Sequence, residues 1–70
     1  MKIDWKIAPA DAVYHAHEKD GSGNWYTAKP FLGAAVWWPI RGSECIESNH
    51  KLPAGADWQE SLTKRPKEKR

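Results

Sequence analysis

Ala12-Val13-Tyr14-His15-Ala16-His17-Glu18, a reversal at Asp20-Gly21-Ser22-Gly23, and then Asn24-Trp25-Tyr26-Thr27-Ala28 form the stretch whose reading decides the fold. In an extended chain successive side chains alternate between faces, so Val13, His15 and His17 share one side while Ala12, Tyr14 and Ala16 share the other. Two glycines in the reversal supply the positive φ of a tight turn, and the two runs therefore read as a β-hairpin. Pro30 ends or edges the second strand, because proline has no N–H to give to a ladder. Beyond it, Ala34-Ala35-Val36-Trp37-Trp38 reads as a third strand closing at a turn over Pro39-Ile40-Arg41-Gly42. Glu44-Cys45-Ile46-Glu47 follows as a short return strand.

The C-terminal third has a different character. Ser48-Asn49-His50-Lys51 reads as loop, and Asp57 followed by Glu60 three residues later resembles a capping box opening a short helix. Trp58 and Leu62, at i and i+4, would be its inward stripe, and Pro66 its stop. The expected fold class is α+β: a small three- to four-stranded antiparallel sheet with one short C-terminal helix. The domain spans residues 1–62, and residues 63–70 form a basic tail with no apolar side chain to bury, hence disordered.

Five tryptophans in 70 residues, against one Phe and one Met, define the available core. Trp5, Trp25, Trp37, Trp38 and Trp58 give each local segment its own large apolar anchor. A domain this small hides only about 60% of the surface of its unfolded chain, so its stability is thin unless metal, disulfide or self-association supplements the core. One cysteine, Cys45, forms no internal disulfide, which suits a reducing compartment. No apolar run approaches the roughly 18 residues of a membrane span, and Met1-Lys2-Ile3-Asp4-Trp5 lacks the apolar stretch of a signal peptide. These features point to a cytoplasmic, unprocessed protein with no membrane partner.

The formal charge of +2 is unevenly divided. Residues 63–70 hold five basic residues and one acid, a charge of +4, so the remainder, with six basic and eight acidic residues, sits at −2. A body of that sign offers no cationic groove for a phosphate backbone. A short echo also runs through the chain: Pro9-Ala10-Asp11-Ala12-Val13-Tyr14 and Pro53-Ala54-Gly55-Ala56-Asp57-Trp58 share Pro-Ala-x-Ala-x-aromatic. Two copies are too few for a repeat architecture.

Trp5-Lys6-Ile7-Ala8-Pro9-Ala10-Asp11-Ala12, followed by a strand, an Asp-Gly turn and Asn24-Trp25-Tyr26, resembles a pattern of small uncharacterised proteins of tailed bacteriophages and prophages, Trp-x-x-Ala-Pro-x-x-Ala … Trp-Tyr. The likeness covers about residues 4 to 26. It implies phage origin, the host-cell cytoplasm as location, and a small β-rich accessory architecture; it brings no catalytic motif.

Among residues able to do chemistry, His15 and His17 project to one side of a strand, and Cys45 with His50, spaced Cys-x4-His, would complete four zinc ligands. Closed zinc sites are built mostly from cysteine pairs, and one thiol is available, so the favoured reading is no metal or other cofactor. In that reading His15 and His17 are half-exposed strand residues, Cys45 is a small buried apolar residue and His50 is loop. No nucleophile signature or phosphate-cradling loop is present, and catalysis is not expected. The expected function is protein binding, to a host or phage protein or to a second copy, through Trp37, Trp38, Tyr26, Phe31 and Leu32. Its motive is Trp37-Trp38: adjacent strand residues point to opposite faces, so one of the pair is left outside. The alternative is a single-stranded nucleic-acid module in which the same aromatics stack bases while Lys64, Arg65, Lys67, Lys69 and Arg70 contact phosphates.

Overall fold

The computed structural model describes residues 3–66. Six short strands are present: β1 (Tyr14–His17), β2 (Gly23–Tyr26), β3 (Phe31–Leu32), β4 (Trp37–Trp38), β5 (Cys45–Ser48) and β6 (Thr63–Lys64). β5, β2, β1 and β6 lie side by side in one antiparallel sheet, and β3 pairs with β4 in a separate two-stranded ribbon.

The quoted stretch forms the expected hairpin, with Tyr14 opposite Tyr26 and His17 opposite Gly23. Its loop is closed by Gly21 N–H to Glu18 O (2.9 Å) and Glu18 N–H to Ser22 O (2.8 Å). Gly21, at φ +92°, occupies the left-handed position that a three-residue loop of this kind requires. Gly23 has another use than a positive φ. A Cβ there would lie 2.6 Å from His50 O and 2.9 Å from the His15 ring, so the bare backbone makes room for the histidines.

Three expectations change. Trp37-Trp38 does not join the main sheet: only these two residues of the 34–38 run are strand, and they pair with Phe31-Leu32, in register Phe31 to Trp38 and Leu32 to Trp37. The return strand β5 bonds instead to β2, which offered a free edge. The C-terminal helix reduces to a single 3-10 turn, Trp58–Glu60, capped by the Asp57 carboxylate accepting from Gln59 N–H at 2.9 Å. Its inward residue is satisfied without a second turn, because the chain must leave at Ser61 to reach β1. The third change concerns the start of the basic tail. Thr63 and Lys64 are β6, paired with His15 and Tyr14, and Arg65 N–H continues the ladder to Val13 O at 2.7 Å. The Arg65 guanidinium donates to Pro9 O and Ala12 O and stands over Trp5, 5.8 Å from the ring centre. The sheet therefore extends past residue 62; Lys67, Lys69 and Arg70 lie outside the described residues.

Alternation along the paired strands divides the sheet into two faces. Tyr14, Ala16 and Tyr26 lie on one, packed against Trp37 with Trp58 and Leu62. His15, His17, Trp25, Ile46 and Ser48 lie on the other. The N-terminal segment covers that second face: Ile3, Trp5, Ala8 and Ala12 cluster around Trp25, with the Trp5 and Trp25 rings 5.2 Å apart. The echoed Pro-Ala-x-Ala pattern forms the same closed turn twice, Ala12 N–H to Pro9 O and Ala56 N–H to Pro53 O. Only the first copy buries its second alanine.

Candidate functional site

Two places gather the residues singled out by sequence. On the β3–β4 ribbon, Trp37 is buried and fastened at both ends: the Tyr26 hydroxyl donates to Trp37 O at 3.2 Å, and Trp37 Nε1–H donates to Trp58 O at 3.2 Å. A third tie runs from Lys19 N–H to Ala35 O at 3.0 Å. With Trp37 held inward, strand alternation turns its neighbour outward. Trp38 is 52% exposed, its cross-strand partner Phe31 is 56% exposed, and Leu32 is 47% exposed. The Trp38 indole lies across Gly33, where a Cβ would fall 2.3 Å from Nε1.

The five-residue anchor set thus splits. Trp38, Phe31 and Leu32 are on the surface, whereas Trp37 and Tyr26 belong to the core that supports them. Tyr26 is fully buried, and desolvation holds its phenol well above the ordinary tyrosine range, so it stays neutral and serves as a donor. Lys29 and Arg41, both exposed, flank the ribbon in sequence at its open end.

The second place is the histidine face. His15 and His17 are fully buried, not half-exposed, and Cys45 is exposed, not buried. The strand pattern distinguishes sides but not covering, and the cover here is the N-terminal segment with the loop after β5. His15 Nε2 meets Ser48 Oγ at 2.8 Å, and Ser48 Oγ also accepts from His50 N–H at 3.0 Å. The His15 ring packs edge-on to His17 (4.9 Å between centres), Trp25 (4.6 Å) and His50 (5.4 Å). His50 Nε2 accepts from Asp4 N–H at 3.1 Å, a contact that fixes its proton on Nδ1. His15 Nδ1 and both ring nitrogens of His17 are buried without a partner. Desolvation, then the charges of His17 and His50, lowers His15 to about 4; desolvation and His50 lower His17 as well.

Cys45 pairs with Tyr26 at the far end of β5 and therefore lies on the opposite face from His15 and His17. Partial desolvation and the nearby Glu18 carboxylate raise its thiol above the ordinary value, against a contact with Tyr26 that lowers it. The four suggested zinc ligands are accordingly not brought together. Among the described residues, no three His, Cys, Asp or Glu side chains are grouped so as to hold a metal ion. An open cleft of about 510 Å³ lies beside His50, lined by Ile3, Asp4, Trp5, Lys6 and His50. Sequence reasoning missed this cleft, since nothing in residues 3–6 marks them as a wall for His50.

No helix among the described residues is long and apolar enough to cross a membrane. Compared with protein families, curated proteins and solved structures, the chain matches none.

Proposed function

We propose that this protein is a non-enzymatic binding module that docks onto another protein through the outer face of the β3–β4 ribbon. Trp38 and Phe31 are the anchors, with Leu32 beside them. One observation supports the reading above the rest: an exposed, directly opposed aromatic pair is held on a ribbon whose inner side is bolted to the core by Trp37. A rigidly presented aromatic loses little conformational freedom on binding, which is why such residues dominate interface energetics.

The size of the patch narrows the kind of partner. Half of two aromatic side chains with Leu32 amounts to on the order of 300 Å², a size at which a patch is often functional. It falls short of the ~800 Å² each side contributes to a standard stable interface. A homodimer sealed by this face alone is therefore disfavoured. The reading is a partner with an apolar recess and an acidic rim, matched to Lys29 and Arg41, engaged transiently. In the phage or prophage setting suggested by the N-terminal pattern, that partner is a host or phage protein in the host cytoplasm.

The test uses the full chain as bait in host lysate, beside Trp38→Ala, Phe31→Ala and, as a control, Ile7→Ala, whose side chain is exposed elsewhere. Loss of the same captured protein from both ribbon variants, with the control unaffected and all four folded, supports the reading. Capture unchanged by Trp38→Ala overturns it. A labelled oligo-dT strand run in parallel decides for nucleic acid if it binds the chain and Trp38→Ala abolishes that binding. Removal of residues 66–70 is the companion truncation, because a cut at residue 63 would delete β6 and the Arg65 contacts.

A further inference from the structure

We propose that the histidine cluster is an acid-operated latch on the N-terminal segment: protonation of His15, His17 and His50 releases residues 3–8 from the sheet and uncovers Trp25. The contact that ties this segment down is Asp4 N–H to His50 Nε2, which exists only while that nitrogen keeps its lone pair. A protonated Nε2 carries a hydrogen and would confront the Asp4 N–H donor with a second donor. The bond is then lost, not weakened.

The sheet itself gives a charge on the cluster no relief. Trp25 faces it from β2 and Ser48 from β5, the Ser61 hydroxyl bonds the backbone at His17, and Thr63 is paired beside His15 on β6. None of these is an acid. From the N-terminal segment come Asp4, whose carboxylate already accepts from Lys6 N–H at 3.0 Å, and Lys6 itself, both lining the cleft with His50. Arg65 adds a positive charge over Trp5, and Lys51 follows His50 in the chain. His15, in ring contact with both His17 and His50, would thus gain like-charged neighbours, and the buried pair His15 and His17 hold three ring nitrogens that have no partner to share a proton with. Burial accordingly holds His15 and His17 neutral through physiological pH.

What yields is the thinnest cover. On its sheet side the cluster is enclosed by ladder hydrogen bonds, whereas residues 3–8 contribute one 3-10 turn, Trp5–Ile7. Besides His50, that turn is fastened by the Trp5–Trp25 contact and the Arg65 guanidinium, and the segment by Ile3 and Ala8 packed in the cluster around Trp25. Lifting it exposes the Trp25 and His50 side of the cluster and bares a second aromatic surface, Trp5 with Trp25, on the face opposite the Phe31–Trp38 pair.

Hydrogen exchange of the full chain at pH 7.5 and pH 5.0, corrected for intrinsic rates, tests the latch. The expected result is a loss of protection of at least tenfold in the amides of residues 3–8, with β1 and β2 amides retained. His50→Gln, whose amide oxygen can still accept from Asp4 N–H but does not titrate, should keep protection at pH 7.5 and lose less of it at pH 5.0. His17→Phe, which removes two unpartnered nitrogens, should move the acid midpoint down and serves if the first variant fails to fold. Equal protection at both pH values overturns the proposal. So does simultaneous loss over residues 3–8 and the hairpin, or an acid response unchanged in both variants, which would place the titration on carboxylates.

Discussion

The two faces of the four-stranded sheet are built from opposite solutions to the same problem, the covering of a surface about four residues long. On the Tyr26 face the two buried aromatic residues both find partners for their polar atoms: the Tyr26 phenol gives its hydrogen to Trp37 O and the Trp37 indole gives its own to Trp58 O. On the His15 face three imidazole nitrogens are buried with none. Each unsatisfied buried polar group costs about 1–3 kcal/mol, so the first face supplies stability and the second consumes part of it. The difference teaches where function can sit. The satisfied face supports a rigid ribbon whose outer side is free to bind, and the unsatisfied face is held shut by a proton-sensitive contact.

Substitutions that remove the supports of the Tyr26 face should break this contrast most sharply. Trp37→Ala deletes the ribbon's only large inward side chain and its indole hydrogen bond to Trp58 O, and a loss of about 3–5 kcal/mol in urea unfolding is expected. A loss under 1 kcal/mol would show that the ribbon is not part of the core. Next in size is the acid response of the other face. His15 titrates near 4 in the folded chain against about 6.5 when unfolded, so below pH 6.5 the unfolded chain takes up a proton that the folded chain refuses. Stability is therefore full above pH 6.5 and falls on the way to pH 4, by on the order of 2 kcal/mol. Unfolding curves at pH 7.5, 5.5 and 4.5 measure it, and the fall should shrink in His15→Gln.

Tyr26→Phe sharpens the comparison more gently. It removes one hydroxyl and leaves Trp37 O without that donor, for a cost of about 1 kcal/mol. His17→Phe on the opposite face should be neutral or stabilising, since the nitrogens it discards bond to nothing. The sign difference between these two His/Tyr-to-Phe changes is the most direct measure of how unlike the faces are. Smallest of all, Phe31→Ala should alter stability by no more than about 0.5 kcal/mol, because more than half of that side chain is already in water. A larger loss would mean that Phe31 supports the ribbon instead of facing a partner.

How much of this was legible beforehand can be read from particular residues. The β1–β2 hairpin is written locally: alternation on both sides of Asp-Gly specifies strands, turn and register together. The outward position of one tryptophan of the Trp37-Trp38 pair is equally local, since adjacent strand residues must oppose one another. Which of the two turns outward is not, because that depended on Tyr26 and Trp58 offering partners to Trp37 from distant segments. Two-residue strands such as β3 and β6 carry too few side chains to show a period, so Phe31-Leu32 and Thr63-Lys64 did not declare themselves. The histidine pair was visible and its shared side correct, while its burial was not.

Taken alone, then, the order of amino acids settled what neighbours along the chain can settle: the central hairpin, the alternation of its side chains, the capping role of Asp57, and an excess of indole over what a core this small can hide. The folded molecule decided which strand edge β5 found, that residues 63–65 belong to the sheet, that Cys45 and the histidines stand on opposite faces, and that residues 3–8 close over His50. Those outcomes hang on contacts between segments dozens of residues apart, such as Asp4 with His50 and Arg65 with Pro9. Backbone geometry propagates over a few residues, whereas the choice among distant partners is made only when apolar surface and unpaired N–H and C=O groups compete for the same small interior.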